Sequence, residues 1–323
     1  MSQYISHCTA DAISLAAEKL TAGALVAFPT ETVYGLGADA CNQEAVVRIY
    51  AVKDRPANHP LIVHISSIHG MGNWSDEIPA FAIALARDYW PGPMTLVLKR
   101  SQRAADFITG GQDSVAVRVP DHKVALALLE AFEKTGGFGV AAPSANRFGH
   151  VSPTTAQAVQ EELGQFLLVG DQIIDGGACA VGVESTIIDC TGEEPAVLRP
   201  GAVTIEMIER STGLRVVDNK EHIIRVSGSL ENHYAPVAHV FLDITPVAGQ
   251  GFIALADIPT PAGVTRLADP HNAEEFAHLL YAALRQADAQ GLTEVCIAQP
   301  TGDGITVAIR DRLSRAAHPN TPQ

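Results

Sequence analysis

Residues 24–40 read Ala-Leu-Val-Ala-Phe-Pro-Thr-Glu-Thr-Val-Tyr-Gly-Leu-Gly-Ala-Asp-Ala, and residues 53–64 read Lys-Asp-Arg-Pro-Ala-Asn-His-Pro-Leu-Ile-Val-His. The apolar run at 24–28 predicts a buried strand that leads directly into hydroxyls and glycines. A helix capped by Asn42 is expected to end near Lys53, beside Arg55, His59 and His64. Prolines stiffen the loop that carries these cations and imidazoles, so the stretch predicts an anion-binding site.

Composition and charge limit the classes of ligand. The chain has 323 residues, of which 47% are hydrophobic and 18% charged, so it can bury a substantial core in one large domain or two ordinary ones. Lys and Arg number 22 against 36 for Asp and Glu, which gives a formal charge of −14. A broad, non-specific nucleic-acid surface is therefore disfavoured, and a local cluster must hold any anionic ligand.

Cysteine spacing and hydropathy point to a reducing, non-membrane setting. The five cysteines show no CxxC spacing, which argues against a zinc site and against a dense disulfide framework. The N-terminus lacks the basic, apolar and small-residue progression of a secretory signal, and no apolar run reaches the ~18 residues of a membrane-spanning helix. We expect a cytoplasmic protein with no membrane partner.

Alternating strand and helix patterns predict an α/β protein. Through residue 201 the pattern indicates a twisted mixed sheet flanked by helices. Strands at 239–242, 251–255 and 294–298 then alternate with helices at 273–289 and 304–317, which predicts a second, smaller, Rossmann-like parallel α/β domain. The predicted boundaries are 1–214 for a catalytic domain, 215–237 for a linker covering the active site, and 238–323 for the small C-terminal domain.

Two nucleotide-binding motifs can be assessed from spacing. Residues 35–40 formally match G-x-G-x-x-G/A, but six residues separate the preceding strand from the first glycine, whereas the dinucleotide motif follows its strand directly. These glycines are therefore interpreted as permitting a tight turn. The sequence contains no GxxxxGK[ST], which excludes nucleotide binding of the P-loop kind.

Several polar residues have a structural interpretation beside a functional one. Lys53, Arg55 and His59 would complement the dipole of a helix that ends there, and His64 would merely fill a strand. Arg118, at the end of an apolar strand, would either form an ion pair with a carboxylate of the chain or present its guanidinium to a carboxylate ligand. These alternatives remain open at the level of sequence.

Two serines lie near predicted element ends. Ser152-Pro153 predicts a helix that begins with a hydroxyl cap and a proline at its first position, and such a helix terminus also attracts phosphate. Ser144 follows a predicted strand but lacks a G-x-S-x-G elbow and identifiable His and Asp partners, which argues against serine-hydrolase chemistry.

Seven ordered blocks resemble the threonylcarbamoyl-AMP synthase (YrdC-like) family. They are residues 28–37, 53–64, 90–96, 115–120, 142–146, 183–189 and 198–201. The segment 227–236, followed by a second α/β unit containing Asp-Arg-Leu-Ser-Arg-Ala-Ala at 311–317, looks like the two-domain form of that family.

The resemblance implies a reaction in which L-threonine, bicarbonate and ATP give threonylcarbamoyl-adenylate and pyrophosphate. Mg²⁺ would accompany ATP and be held mainly by the phosphates. In the family the product feeds the threonylcarbamoyladenosine modification of tRNA, so downstream threonylcarbamoyl-transferase proteins are implied partners. Direct tRNA contact is a minor hypothesis.

The resemblance also implies site residues. Lys53 and Arg55 would serve the phosphates as the catalytic residues. ATP contacts would fall on Arg55, His59, Ser114, Ser144, Ser152 and Arg199, with Tyr234 of the linker closing over the nucleotide. Threonine contacts would fall on Thr32, His64, Arg118, Ser185 and the backbone of Ala142. At position 59 an imidazole stands where many relatives place asparagine, and a contact of this imidazole with ATP would vary with pH near neutrality.

Two rival functions remain. One is a module that binds double-stranded RNA or a nucleotide without this activity, which the charge of −14 weakens. The other is carbamoyl-adenylate formation for another acceptor, whose enzymes usually carry zinc-finger segments with CxxC spacings that this chain lacks. For the second domain we predict that it restrains the linker and gates access to the site.

Overall fold

The computed structural model describes residues 4–217, 224–228 and 234–318. Within them two sheets form, one before and one after the predicted linker. The first sheet consists of ten strands: β1 Ile5–His7, β2 Val26–Phe28, β3 Gly35–Asp39, β4 Ile62–His64, β5 Met94–Lys99, β6 Ser114–Arg118, β7 Val140–Ala141, β8 Gln172–Asp175, β9 Thr186–Asp189 and β10 Ala196–Arg199. The second sheet consists of four: β11 His239–Leu242, β12 Gly251–Ile253, β13 Thr265–Ala268 and β14 Glu294–Ile297.

The described helices fall between these strands or after the last of them, where apolar residues recur at helical spacing. They are α1 Ala10–Thr21, α2 Gln43–Lys53, α3 Ala80–Tyr89, α4 Asp106–Thr109, α5 Lys123–Lys134, α6 Ala156–Leu163, α7 Ile205–Thr212, α8 Ala273–Ala289 and α9 Ile305–Ala316. The predicted cap of α2 is confirmed, since the Asn42 side chain accepts from the Ala45 N–H.

The first sheet is mixed and is covered by helices on both faces. Its strand order is β1-β8-β2-β3-β7-β4-β6-β5-β9-β10. Helices α1 and α5 pack against one face, around Phe28 and Ile174. Helices α2, α3 and α6 pack against the other face, around Leu36 and Leu96. The fold class expected from the sequence is confirmed for this part of the chain.

The second sheet is parallel throughout and has the order β11-β14-β12-β13. Helix α8 buries Phe276, Leu280 and Leu284 against it, because positions four apart lie on one helix face. Helix α9 joins the same core through Ile309 and Leu313. The expected small parallel α/β unit is therefore confirmed.

The glycines of residues 35–40 do not form the tight turn that their spacing suggested. Gly35–Asp39 is strand β3, which pairs antiparallel with β2. A Cβ on Gly37 would lie 2.7 Å from Val140 Cγ1 and 2.8 Å from Phe28 Cε1, closer than carbon atoms tolerate. Gly37 is thus needed for close packing on the sheet face, so the turn interpretation was wrong.

The expected start of α6 was also wrong. The helix begins at Ala156, and its N-cap is Thr155, whose hydroxyl accepts from the Ala158 N–H. The Ser152 hydroxyl donates instead to the Glu184 carboxylate at 2.7 Å. Hydrogen bonds to a carboxylate are charge-assisted and stronger than neutral ones, so a tertiary contact holds Ser152, and Thr155 caps the helix.

Part of the predicted linker is described. Residues 218–223 and 229–233, which include His233, lie outside the described residues. In the described part, Val226 packs against Ile62, Val97 and Ile187 of the first sheet. The exact domain boundaries remain a prediction. Within the described ranges, no helix combines the length and apolarity needed to cross a bilayer.

Candidate functional site

A cavity opens beside the ends of the central strands of the first sheet, and the space between its walls, part of it open to solvent, is about 530 Å³. The predicted site residues that line it are Thr32, Arg55, His64, Arg118, Ala142, Ser144, Ser185, Arg199 and Tyr234. Residues far apart in sequence therefore meet at one place.

The pair His64 and Arg118 illustrates how the sheet assembles this site. They are the last residues of β4 and β6, which are adjacent and parallel, and they stand opposite each other in register. Arg118 Nη2 donates to Glu31 Oε1 at 2.6 Å, so the ion pair considered from sequence exists. The Arg118 Nε has no hydrogen-bond partner among the described residues. The guanidinium is thus anchored on one side and retains a donor for an anion.

The loop after β2 presents hydroxyls to the cavity. Thr30 Oγ1 accepts from the Thr32 and Val33 N–H groups and donates to the Val33 carbonyl at 2.6 Å. Its hydroxyl also lies 2.9 Å from that of Thr32. This turn, closed by a threonine side chain, fixes the Thr32 hydroxyl at the cavity wall.

Arg55 enters the cavity because helix α2 ends at Lys53, two residues earlier. Asp54 adopts the left-handed conformation with φ 53°, which redirects the chain. Arg55 Nη2 donates to the Pro60 carbonyl at 3.0 Å and to the Ser227 hydroxyl at 3.2 Å. Burial lowers the pKa of Arg55 to about 10, so the guanidinium stays charged at neutral pH.

Arg199 and Ser185 meet across the hairpin formed by β9 and β10. Arg199 Nε and Nη2 donate to the Ser185 carbonyl at 3.1 and 2.9 Å. The Ser185 hydroxyl lies 2.8 Å from that of Thr95, and Arg199 Nη1 donates to the Ser227 carbonyl at 2.9 Å. Arg55 and Arg199 therefore both bind the same linker residue.

Tyr234 brings the far end of the linker to the cavity. Its φ of 66° lies in the left-handed region, and its side chain is buried. The ring stacks on Tyr281 of α8, with centroids 5.8 Å apart and planes 22° apart. The small C-terminal sheet unit thus supports one wall of the cavity.

Three predicted ATP residues lie around the cavity rather than on its wall. Ser114 lines a smaller neighbouring pocket with Val226. Ser152 is one hydrogen bond away, through Glu184. The His59 ring packs edge-on against the ring of Phe148, with the ring centroids 5.2 Å apart. The pKa of His59 is lowered to about 4, mainly by burial and secondly by the charge of Arg55. An imidazole with that pKa does not titrate near neutrality, so the predicted pH-dependent contact is not supported.

Lys53 is placed behind the cavity. Its side chain is only 1% exposed, and its Nζ donates to the carbonyls of Ser144, at 2.6 Å, and of Asn146. Burial, followed by the charge of Arg55, lowers the pKa of Lys53 well below its ordinary value. The ammonium thus faces the backbone of the 144–146 loop, and its geometry is that of a group that holds this loop.

Replacing Lys53 with methionine is expected to lower the free energy of unfolding by about 2–3 kcal/mol, because two buried carbonyls lose their donor. Chemical denaturation would measure this effect. The matched control is Lys99→Met, since Lys99 pairs with Glu77 at the surface and should change stability by less than about 0.5 kcal/mol. An unchanged stability in Lys53→Met would contradict the role in the loop.

His64 predicts acid sensitivity of the fold. Its pKa is lowered to about 3, mainly by burial and secondly by the charge of Arg118. Unfolding restores an ordinary pKa near 6.5, so below that pH the unfolded chain binds a proton that the folded chain does not. Between pH 7 and pH 5 this imidazole should therefore lower the free energy of unfolding by about 2 kcal/mol.

Denaturation curves at the two pH values would measure this loss. In His64→Gln the free energy of unfolding should no longer lose this amount between pH 7 and pH 5. The same change at His69, which is exposed, should leave the pH dependence as in the wild type. Equal pH dependence in both variants would show that the folded chain binds a proton at His64 as readily as the unfolded chain does.

The sequence reasoning missed Glu184, which also lines the cavity. The residue directly precedes Ser185 within the block 183–189, and that adjacency was the available signal. No cluster of three or more His, Cys, Asp or Glu suited to a metal occurs in the part of the chain that the structure describes. The arrangement suits an anionic ligand held by arginines and hydroxyls.

Comparison with known proteins extends this description. Residues 18–201 match the family described as telomere recombination, and residues 203–318 match the C-terminal domain of threonylcarbamoyl-AMP synthase. Threonylcarbamoyl-AMP synthase of Pyrococcus abyssi is 39% identical over 333 residues, which cover 94% of each chain. That of Bacillus subtilis is 37% identical and covers 94% of this chain and 92% of the relative. The crystal structure of P. abyssi Sua5 complexed with L-threonine has a TM-score of 0.87 at 38% identity and covers 97% of each chain.

Proposed function

The chain belongs to the threonylcarbamoyl-AMP synthase family, and from this premise we propose that its cavity binds ATP and L-threonine side by side and joins them through a carbamate. The observation that carries the proposal is the convergence of Arg55, Arg118 and Arg199 with threonine and serine hydroxyls in one cavity. Three guanidiniums there match a ligand set with a carboxylate and a triphosphate.

The proposed reaction is ATP-dependent adenylyl transfer. The amine of threonine adds to bicarbonate with loss of water and gives a carbamate. A carbamate oxygen then forms a bond to the α-phosphorus of ATP while the bond to pyrophosphate breaks. This chemistry requires positioning and charge neutralisation rather than a protein nucleophile, which agrees with a cavity built from cations and hydroxyls.

Arg118, Thr32 and Ser185 support the threonine half of the proposal. Arg118, held by Glu31, would donate to the amino-acid carboxylate. The two hydroxyls would serve the side-chain hydroxyl or the carbamate, and discrimination against valine would follow, because valine would leave a buried polar group unpaired. The Ala142 N–H already donates to the Ile62 carbonyl. A backbone contact between threonine and Ala142 would therefore use the Ala142 carbonyl.

Arg55 and Arg199 support the phosphate half. Both donate to Ser227 in this structure, one to its hydroxyl and the other to its carbonyl. Phosphate oxygens are better acceptors for guanidinium donors than these neutral groups. We therefore propose that ATP displaces Ser227, so that the linker moves when nucleotide enters and Tyr234 closes beside it.

Mg²⁺ fits this proposal as a companion of ATP. Both oxygens of Glu184, the carboxylate that lines the cavity, are engaged by neighbouring side chains. The described residues thus offer no set of carboxylates for an all-protein site, and the substrate phosphates would supply the ligands. Bound there, Mg²⁺ would offset charge on the phosphates.

Pyrophosphate release provides the test. The full chain would be incubated with ATP, Mg²⁺, bicarbonate and each of the twenty amino acids in turn. Release that requires threonine and bicarbonate supports the proposal. Release without any amino acid, or with several amino acids equally, would contradict it. Serine and valine serve as matched controls, because each lacks one group of the threonine side chain.

A further inference from the structure

The carboxylate of Glu184 lies at the boundary between the cavity and the C-terminal unit. Glu184 Oε1 accepts from the Ser152 hydroxyl, at 2.7 Å. Its Oε2 accepts from the Tyr281 hydroxyl and from Arg312 Nε, each at 2.9 Å. Helices α8 and α9 therefore each send one side chain to a residue that lines the cavity.

This contact is buried and ionic. Glu184 is 6% exposed, and the Arg312 side chain is 0% exposed. Burial acts to raise the pKa of Glu184, but the charges of Arg312 and Arg199 outweigh it and hold the pKa below its ordinary value. Glu184 is consequently ionised at neutral pH, on the same wall as Arg199.

An ionised carboxylate at this place would repel an anionic substrate and weaken its binding. It faces the cavity in which Arg55 and Arg199 would bind phosphates, and its charge is poorly screened because it is buried. Arg312 supplies the opposite charge. Arg312 also pairs with Asp311, but Asp311 pairs with Arg315 as well. Arg315 therefore offsets part of the charge of Asp311, and Arg312 can still offset the charge of Glu184.

Arg312 also contacts the linker tyrosine. Its guanidinium lies 5.3 Å from the centroid of the Tyr234 ring, and that ring stacks on Tyr281. A cation over an aromatic face attracts the ring and helps to keep it in place. One arginine of the C-terminal unit thus reaches two residues of the cavity wall, Glu184 and Tyr234.

We propose that Arg312 is a positioning residue for the reaction: it offsets the charge of Glu184 and thereby keeps Arg199 available to the phosphates of ATP. The proposal rests on the function proposed above, because it assumes that the anion bound near Arg199 is a nucleotide. It assigns the C-terminal unit an electrostatic part in nucleotide binding, distinct from restraint of the linker.

The test is a charge-compensation experiment on the full chain. Arg312→Met should weaken ATP binding about tenfold, with a smaller effect on kcat, because an uncompensated carboxylate then faces the phosphates. Adding Glu184→Gln to that variant should recover at least about fivefold of the lost affinity, because the repelling charge is gone. Arg312→Lys, which retains the charge, should bind ATP more tightly than Arg312→Met.

Equilibrium titration with Mg²⁺-ATP would measure ATP affinity independently of turnover, and kinetics would measure turnover itself. Together, these two measurements separate a loss of ATP binding from a failure of the proposed function. Arg310→Met is the matched control, since Arg310 lies on α9 but donates to the carbonyls of Pro300 and Gly302, and it should leave ATP affinity unchanged.

An Arg312→Met/Glu184→Gln variant that binds ATP no better than Arg312→Met would overturn the proposal, as would an Arg312→Met variant with wild-type affinity. Recovery of ATP binding in the double variant would support it, even if threonine-dependent pyrophosphate release failed. That last result would count against the proposed function alone.

Discussion

Arg118→Ala is expected to lower kcat/KM for L-threonine by about 30- to 100-fold, while the KM for ATP changes by less than about threefold. Losing a buried guanidinium that binds a carboxylate costs about 2–3 kcal/mol, and each 1.4 kcal/mol is a factor of ten. Steady-state rates of pyrophosphate release, with each substrate varied in turn, would measure the split.

The controls for Arg118 follow from its ion pair. Removing the guanidinium also leaves Glu31 buried without its partner, so stability should fall, and Arg118→Ala/Glu31→Gln separates that loss from the loss of threonine binding. Arg118→Lys retains the positive charge but not the bidentate guanidinium, so its kcat/KM for L-threonine should lie between those of the wild type and Arg118→Ala. A proportional rise in both KM values would show that Arg118 acts on the whole site rather than on threonine.

Arg55→Ala is expected to have the second large effect, a fall of about 30- to 100-fold in kcat/KM for ATP with a smaller change for threonine. Arg55 is buried, and its Nε has no hydrogen-bond partner among the described residues, so a donor is available for a phosphate. The same pyrophosphate assay with ATP varied at saturating threonine would measure this effect.

Arg103→Gln is the matched control for Arg55. Arg103 is exposed and stacks on Phe138 at 3.6 Å, outside the cavity, so its replacement should leave both KM values as in the wild type. If Arg55→Ala raised the threonine requirement as much as the ATP requirement, the assignment of Arg55 to the phosphates would fail.

The main elements of the fold could be predicted from local pattern. Helix α2, with its cap at Asn42, and helix α8 carry apolar residues at helical spacing, and β5 and β6 are short apolar runs. The short edge strand Ile5–His7 and strands β8 and β13 were not predicted. Their strand identity depends on pairing with neighbours, such as Ile5 with Ile173, rather than on their own composition.

The errors at Gly37 and Ser152 share one cause. Glycine signals conformational freedom in a sequence, but at Gly37 the absence of a Cβ matters for packing against Val140 and Phe28. A serine before a proline signals a helix cap, but the Ser152 hydroxyl donates to the distant Glu184 carboxylate, and Thr155 caps the helix. In both cases a partner distant in the chain outweighs the local signal.

The α/β class and the two sheet units could be read from the sequence, because each depends on neighbours within a few residues. The hydroxyls and cations of the site were expected from the resemblance of seven blocks to a known family. Which of those cations face the cavity follows from tertiary packing: Lys53 and Arg55 are two residues apart, yet one ends behind the 144–146 loop and the other on the wall. Tertiary packing also decided that Glu184 meets Arg312, 128 residues away. Such contacts follow from how strands and helices pack, and no local spacing encodes them.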